Sequence, residues 1–68
     1  MFEEAPMDEA FLAYTAGRAD GSAGRRDARL ADDPETGSDY RIGVVDGGVA
    51  AFQAELIAEV RRLQDENL

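Results

Sequence analysis

A chain of 68 residues holds one small domain at most. Of its 30 hydrophobic residues 12 are alanine, so its core is thin, and completion by a second copy or by docking on a partner is expected. Fifteen acidic residues stand against seven basic ones, all arginine; the net charge of −8 argues against general affinity for nucleic-acid phosphates and suits a basic partner surface. With no cysteine and no histidine, disulfides, thiolate metal sites and the commonest general base are excluded, and no apolar run approaches the ~18 residues of a membrane span.

The opening MFEEAPMDEA has neither the positive region nor the apolar run of a signal peptide, so a cytoplasmic protein is expected. Pro6 suits the first position of a helix, and Asp8 and Glu9 suit its first turn. Met7, Phe11 and Tyr14 then share one helical face. The spacing predicts a first helix over about 7–21, weakened at its end by Gly17 and Gly21.

Residues 22–37 read as a linker rich in Gly, Ser, Asp and Pro. Leu30 is its only large apolar residue and is expected to tack it down, while Pro34 is disfavoured in a helix interior. Arg25, Arg26 and Arg29 form the only basic cluster. With Arg18 they are the candidate contacts for phosphate or for an acidic partner, although Asp27, Asp32 and Asp33 lie among them.

The last stretch carries the strongest pattern. Thr36 or Ser38 is expected as N-cap, with Asp39 in the first turn. Ile42, Val45, Val49, Phe52, Leu56, Val60 and Leu63 then recur at steps of three and four, an apolar seam on a helix over about 38–65. These seven residues are the candidate partner interface, in the mode of a helix laid into a groove or against a second copy. Glu59 stands three residues before Arg62, a spacing that supports a helix. A competing reading makes 40–52 two short strands around an Asp-Gly turn; it explains the valines but not the continuous seam.

One pattern occurs twice. Tyr14, Gly17, Asp20 and Gly21 spell Tyr-x-x-Gly-x-x-Asp-Gly, and Tyr40, Gly43, Asp46 and Gly47 repeat it 26 residues on. On a helix the tyrosine and both glycines share a face, and paired glycines four apart let another helix approach closely. The expectation is close packing through Tyr14, Gly17, Gly21, Tyr40, Gly43 and Gly47, each tyrosine covering a notch and offering its hydroxyl to a hydrogen bond. The fold class that follows is an all-α helical hairpin, with a short first helix and a long amphipathic second one.

The run Tyr14-Thr15-Ala16-Gly17, the Gly24-Arg25 step, Pro34 in the linker and Tyr40-Arg41-Ile42-Gly43 together resemble the ribosome modulation factor family. The resemblance covers about 30 residues. It implies an all-α hairpin and, as an alternative function, association with the ribosome through Arg18, Arg25, Arg26 and Arg29. That family is strongly basic and has a tryptophan-rich second motif; this chain is acidic and holds only Tyr40 there.

No catalytic, metal or cofactor constellation is present in the sequence. Asp32, Asp33 and Glu35 lack the calcium-loop spacing, and GRADGSAG lacks the Gly-Lys-Ser/Thr ending of a phosphate loop. The expected function is therefore that of a small acidic interaction protein without enzymatic activity. It would act as a homo-oligomer, most simply a homodimer, or as an accessory subunit of a larger assembly. A nucleic-acid-mimic inhibitor of a basic protein is the other alternative that the net charge allows.

Overall fold

The computed structural model describes residues 8–66, and every regular element among them is helical. Helix α1 spans Glu9–Ser22, the short α2 spans Ala28–Ala31, and α3 runs over Gly37–Glu66. The stretch 40–52 lies wholly inside α3, so the strand alternative does not hold. Residue 7 and Pro6 lie outside the described residues. Asp8 is the N-cap of α1 rather than a first-turn residue, its carboxylate accepting the Ala10 N–H at 3.1 Å.

The end of α1 is set by Gly24. Its φ of +74° is the left-handed conformation that glycine adopts without a Cβ penalty. Arg25 N–H then donates to the Asp20 carbonyl and Gly24 N–H to the Gly21 carbonyl, the bond pair that closes a helix with a left-handed residue. The linker is more ordered than its composition suggests. Asp27 caps α2 by accepting from Arg29 N–H and Leu30 N–H. Within α2 it is Ala31 that is fully buried, while Leu30 stays 43% exposed.

Thr36 precedes the first residue of α3 and its carbonyl accepts the Tyr40 N–H at 3.0 Å, while the side-chain bonds to the entering turn come from Asp33. The Asp33 carboxylate accepts from Glu35 N–H at 2.8 Å and Thr36 N–H at 3.0 Å, and its carbonyl accepts from Gly37 N–H. Pro34 thus occupies the first position of the turn that leads into α3, where its missing N–H costs nothing. Those backbone N–H groups favour the carboxylate and hold the Asp33 pKa below its ordinary value.

Helices α1 and α3 make the main interface of the molecule. Contacts ascend together along the two: Gly17 lies on Tyr40 and Gly21 on Val44, while Gly43 lies on Tyr14 and Gly47 on Arg18. The helices therefore run in the same direction, and the linker with α2 carries the chain back from the end of one to the start of the other. The backbone is flat, 56 × 37 × 12 Å along its principal axes. The buried set is correspondingly small. Among the described residues Tyr40 and Ala31 are fully enclosed, and the others that are buried are Gly17, Gly37, Gly43 and Gly47.

Candidate functional site

The six packing residues of the repeat meet in one place. A Cβ built on Gly43 would lie 2.8 Å from the Arg18 nitrogen, and one on Gly47 would lie 2.8 Å from the Ser22 nitrogen. A Cβ on Gly17 would lie 3.0 Å from the Val44 nitrogen, and one on Gly21 2.8 Å from the Val44 Cα. In each case a main-chain carbonyl of the facing helix sits closer still, inside the separation that real Cβ atoms observe. The four glycines therefore bring backbone against backbone. This is the geometry in which Cα–H···O contacts form, and no side chain at those positions would permit it.

The contacts obey the repeat. Adding 26 to Gly17 and subtracting 26 from Tyr40 turns the Gly17–Tyr40 contact into Gly43–Tyr14, and the same operation turns Gly21–Val44 into Gly47–Arg18. The pair is thus related by a local two-fold axis, and each half presents the same patch to the other.

The aspartates complete this symmetry, a role the sequence reading did not assign to them. The Tyr14 hydroxyl donates to Asp46 Oδ2 at 2.6 Å, and the Tyr40 hydroxyl donates to Asp20 Oδ2 at 2.6 Å. Each copy's tyrosine binds the other copy's aspartate, which explains why the pattern is Tyr-x-x-Gly-x-x-Asp-Gly and not Tyr-x-x-Gly alone. The signal that finds them is the aspartate six residues after each tyrosine, about 1.7 helical turns on and just before the second glycine, which puts it at the flank of the glycine face.

The two halves differ in burial. Tyr40 has no exposed surface, and its hydroxyl also accepts the Asp27 N–H at 2.8 Å, so one phenol ties α1, the linker and α3 together. Burial, and then its bond to Asp20, pushes the Tyr40 pKa above the ordinary 10.0. The folded state holds that proton more tightly than the unfolded chain. Its stabilising effect is whole below pH 10 and is lost as pH rises through the elevated folded-state value. Thermal melts between about pH 8 and pH 11 should therefore show stability falling on the alkaline side, with a shallower fall in Tyr40→Phe. Equal slopes in the two proteins would contradict the assignment.

The apolar seam lies elsewhere. Ile42, Val45, Val49, Phe52, Leu56, Val60 and Leu63 are each between 46% and 63% exposed. Val45 and Val49 stand two residues either side of Gly47, about 200° around a helix of 3.6 residues per turn. The seam thus faces away from α1, and the hairpin covers none of it. From residue 52 onward every described residue of α3 is exposed, and Ile57, at 53%, adds to the apolar surface. Arg62, which binds Glu59 and Glu66 along the helix, lies beyond the edge of the seam.

The arginines do not form one patch. Arg25 lies 3.9 Å from Asp20. Arg18 contributes its main chain to the packing of Gly43 and Gly47. Arg25 and Arg26 line a shallow hollow together with Asp20 and Asp27, and Arg29 is exposed on α2. Arg41, not among the candidates, binds the Ala31 carbonyl. A second hollow of about 290 Å³ is lined by Leu12, Ala13, Ala16, Leu30 and Tyr40, with Glu9 and Thr36 at its rim. Among the described residues no cluster of three or more carboxylates could hold a metal ion, and no helix is long and apolar enough to cross a membrane. Comparison with models of known protein families, with curated proteins and with solved structures gave no match.

Proposed function

We propose that this is a small, non-enzymatic interaction protein that works by burying the α3 seam against another protein surface, as a homo-oligomer or as an accessory subunit. The observation that supports this reading is the position of the seam. Seven large apolar side chains line one face of a 30-residue helix, and the chain's own packing uses the opposite face. Contiguous apolar surface on that scale marks an interaction site in a stable protein. The glycine–tyrosine motif then has a clear task. It holds α3 in place using main-chain contacts and one buried phenol, leaving the apolar side chains free for a partner.

The test is the state of the protein in an extract of the cells that encode it. The wild type is expected to migrate well above its 7.3 kDa chain mass, and Phe52→Asp/Leu56→Asp to migrate as the free chain while keeping its helical circular dichroism. Two charges set into an apolar contact remove several kcal/mol of association energy, enough for a change of a hundredfold or more in affinity. A wild type that migrates as a free monomer in the extract contradicts the reading.

A further inference from the structure

We infer that the occupant of the α3 seam is a second copy of this chain, lying parallel and in register; this rests on the interaction function proposed above. Three observations carry it. The first is the shape of the seam. Val45 and Leu56, Val49 and Val60, and Phe52 and Leu63 are each 11 residues apart. Ile42, Val49, Leu56 and Leu63 are seven apart, and this mixture of seven- and eleven-residue spacings keeps the stripe on one side of the helix along its length. It runs about 27 Å from Val45 to Leu63 at 1.5 Å per residue. Its best complement is an equally straight apolar stripe of the same length, and a second α3 supplies one.

The second observation is size. Covering the exposed parts of the seam residues removes roughly 700 Å² per copy, close to the ~800 Å² per partner of a standard interface. The contact needs nothing from α1, which sits on the far side of α3 and obstructs neither copy.

The third is charge. One flank of the seam carries Glu55 and Glu59, and the other carries Gln53 and Gln64. In a parallel two-fold pair unlike flanks meet, so Glu59 comes opposite Gln64 of the second copy at the five-residue offset of parallel helices, and the two glutamate flanks stay apart. Antiparallel pairing of the same stripe, with Val45 over Leu63, instead brings Glu55 against Glu55 of the second copy near the axis. Two chains of −8 each also repel at long range. A dimer held by apolar contact must therefore tighten with salt, whereas docking on a basic partner must weaken.

The experiment uses the purified full chain, which has no cysteine of its own. Light scattering should give twice the 7.3 kDa chain mass, with tighter association between about 0.05 and 0.5 M salt. Val45→Cys and Leu63→Cys, each alone and mildly oxidised, should both cross-link to themselves. A monomer by scattering overturns the inference. Cross-linking only when the two variants are mixed shows an antiparallel pair and overturns the arrangement. A Phe52→Asp chain that keeps its helical spectrum yet stays dimeric overturns the use of the seam. A purified monomer that still enters a larger species in the cell extract sinks the second-copy inference while leaving the interaction function standing.

Discussion

Gly43→Ala and Gly47→Ala are expected to destabilise the protein by about 1–3 kcal/mol each, against the direction of helix propensity. On a free helical surface the same change is stabilising by up to ~1 kcal/mol, because alanine loses less backbone entropy than glycine. Here the added methyl has nowhere to go. It would meet the Tyr14 carbonyl at Gly43 and the Arg18 carbonyl at Gly47, and these are main-chain atoms that cannot turn aside. The helices must separate, and separation stretches the Tyr14–Asp46 and Tyr40–Asp20 bonds together. Gly48→Ala is the internal control. Its methyl would lie 3.9 Å from the Gly21 carbonyl, an ordinary contact, so stability should be unchanged or higher. Urea unfolding followed by circular dichroism measures all three. Gly43→Ala more stable than wild type would remove the close crossing from the account. In Gly43→Leu the docking of α1 should fail altogether, with most of α3 remaining helical because its backbone bonds are internal.

Replacing Tyr40 should have the other large effect. Tyr40→Ala removes the only large side chain that is fully enclosed among the described residues, and the surrounding backbone is too tightly packed to collapse into the space. The change also leaves the Asp27 N–H and the Asp20 carboxylate without the phenol that joins them. A drop in melting temperature of more than about 10 °C is expected in so small a domain. Tyr40→Phe separates ring from hydroxyl. It keeps the packing but strands a donor and an acceptor in a partly buried place, so it should fall between Ala and wild type. Tyr14→Phe should cost less than Tyr40→Phe, since the Tyr14–Asp46 bond is exposed and water replaces it. The order Tyr40→Ala, Tyr40→Phe, Tyr14→Phe in differential scanning calorimetry is the expected result. Equal losses for the two phenylalanine variants would show that burial does not distinguish the halves.

Much of this architecture is legible in the residues, and the reasons for the rest are physical. The three-four spacing from Ile42 to Leu63 announces a long helix, and α3 is that helix. The twin glycine pairs announce a notch on each of two helices. The direction of α1 against α3 does not follow from either pattern, because a glycine notch accepts a crossing from both senses. The decision lies in Asp20 and Asp46, whose reach to the opposite tyrosines exists only when the helices run together. The disposition of the seam is equally hidden. Periodicity says that a face is apolar, not what covers it. The intramolecular contact went to the glycine face because main-chain contact requires the absence of side chains, and this left the apolar face outward. Helix α2 has no periodic signature because it is four residues long, and its one sequence signal is the Asp27 cap. The part played by Asp33 is masked by the proline after it, which looks like a helix breaker and is here a helix starter.

The small buried set has a consequence for how such a chain drifts over generations. A body that encloses only Tyr40 and Ala31 among its described hydrophobic side chains has almost no interior, so selection for folding would touch few positions. The two tyrosines, four glycines and two aspartates of the motif are held by geometry, together with Ala31 and the Gly24 turn. If the seam meets a partner as proposed, its positions would ask for hydrophobicity and leave the choice among Val, Ile, Leu and Phe open. Descendants of a common ancestor would thus keep the twice-written Tyr-x-x-Gly-x-x-Asp-Gly at a spacing set by the returning linker and share little else. For a chain held together in this way, kinship would be carried by eight letters and the distance between them, and overall identity would measure it poorly.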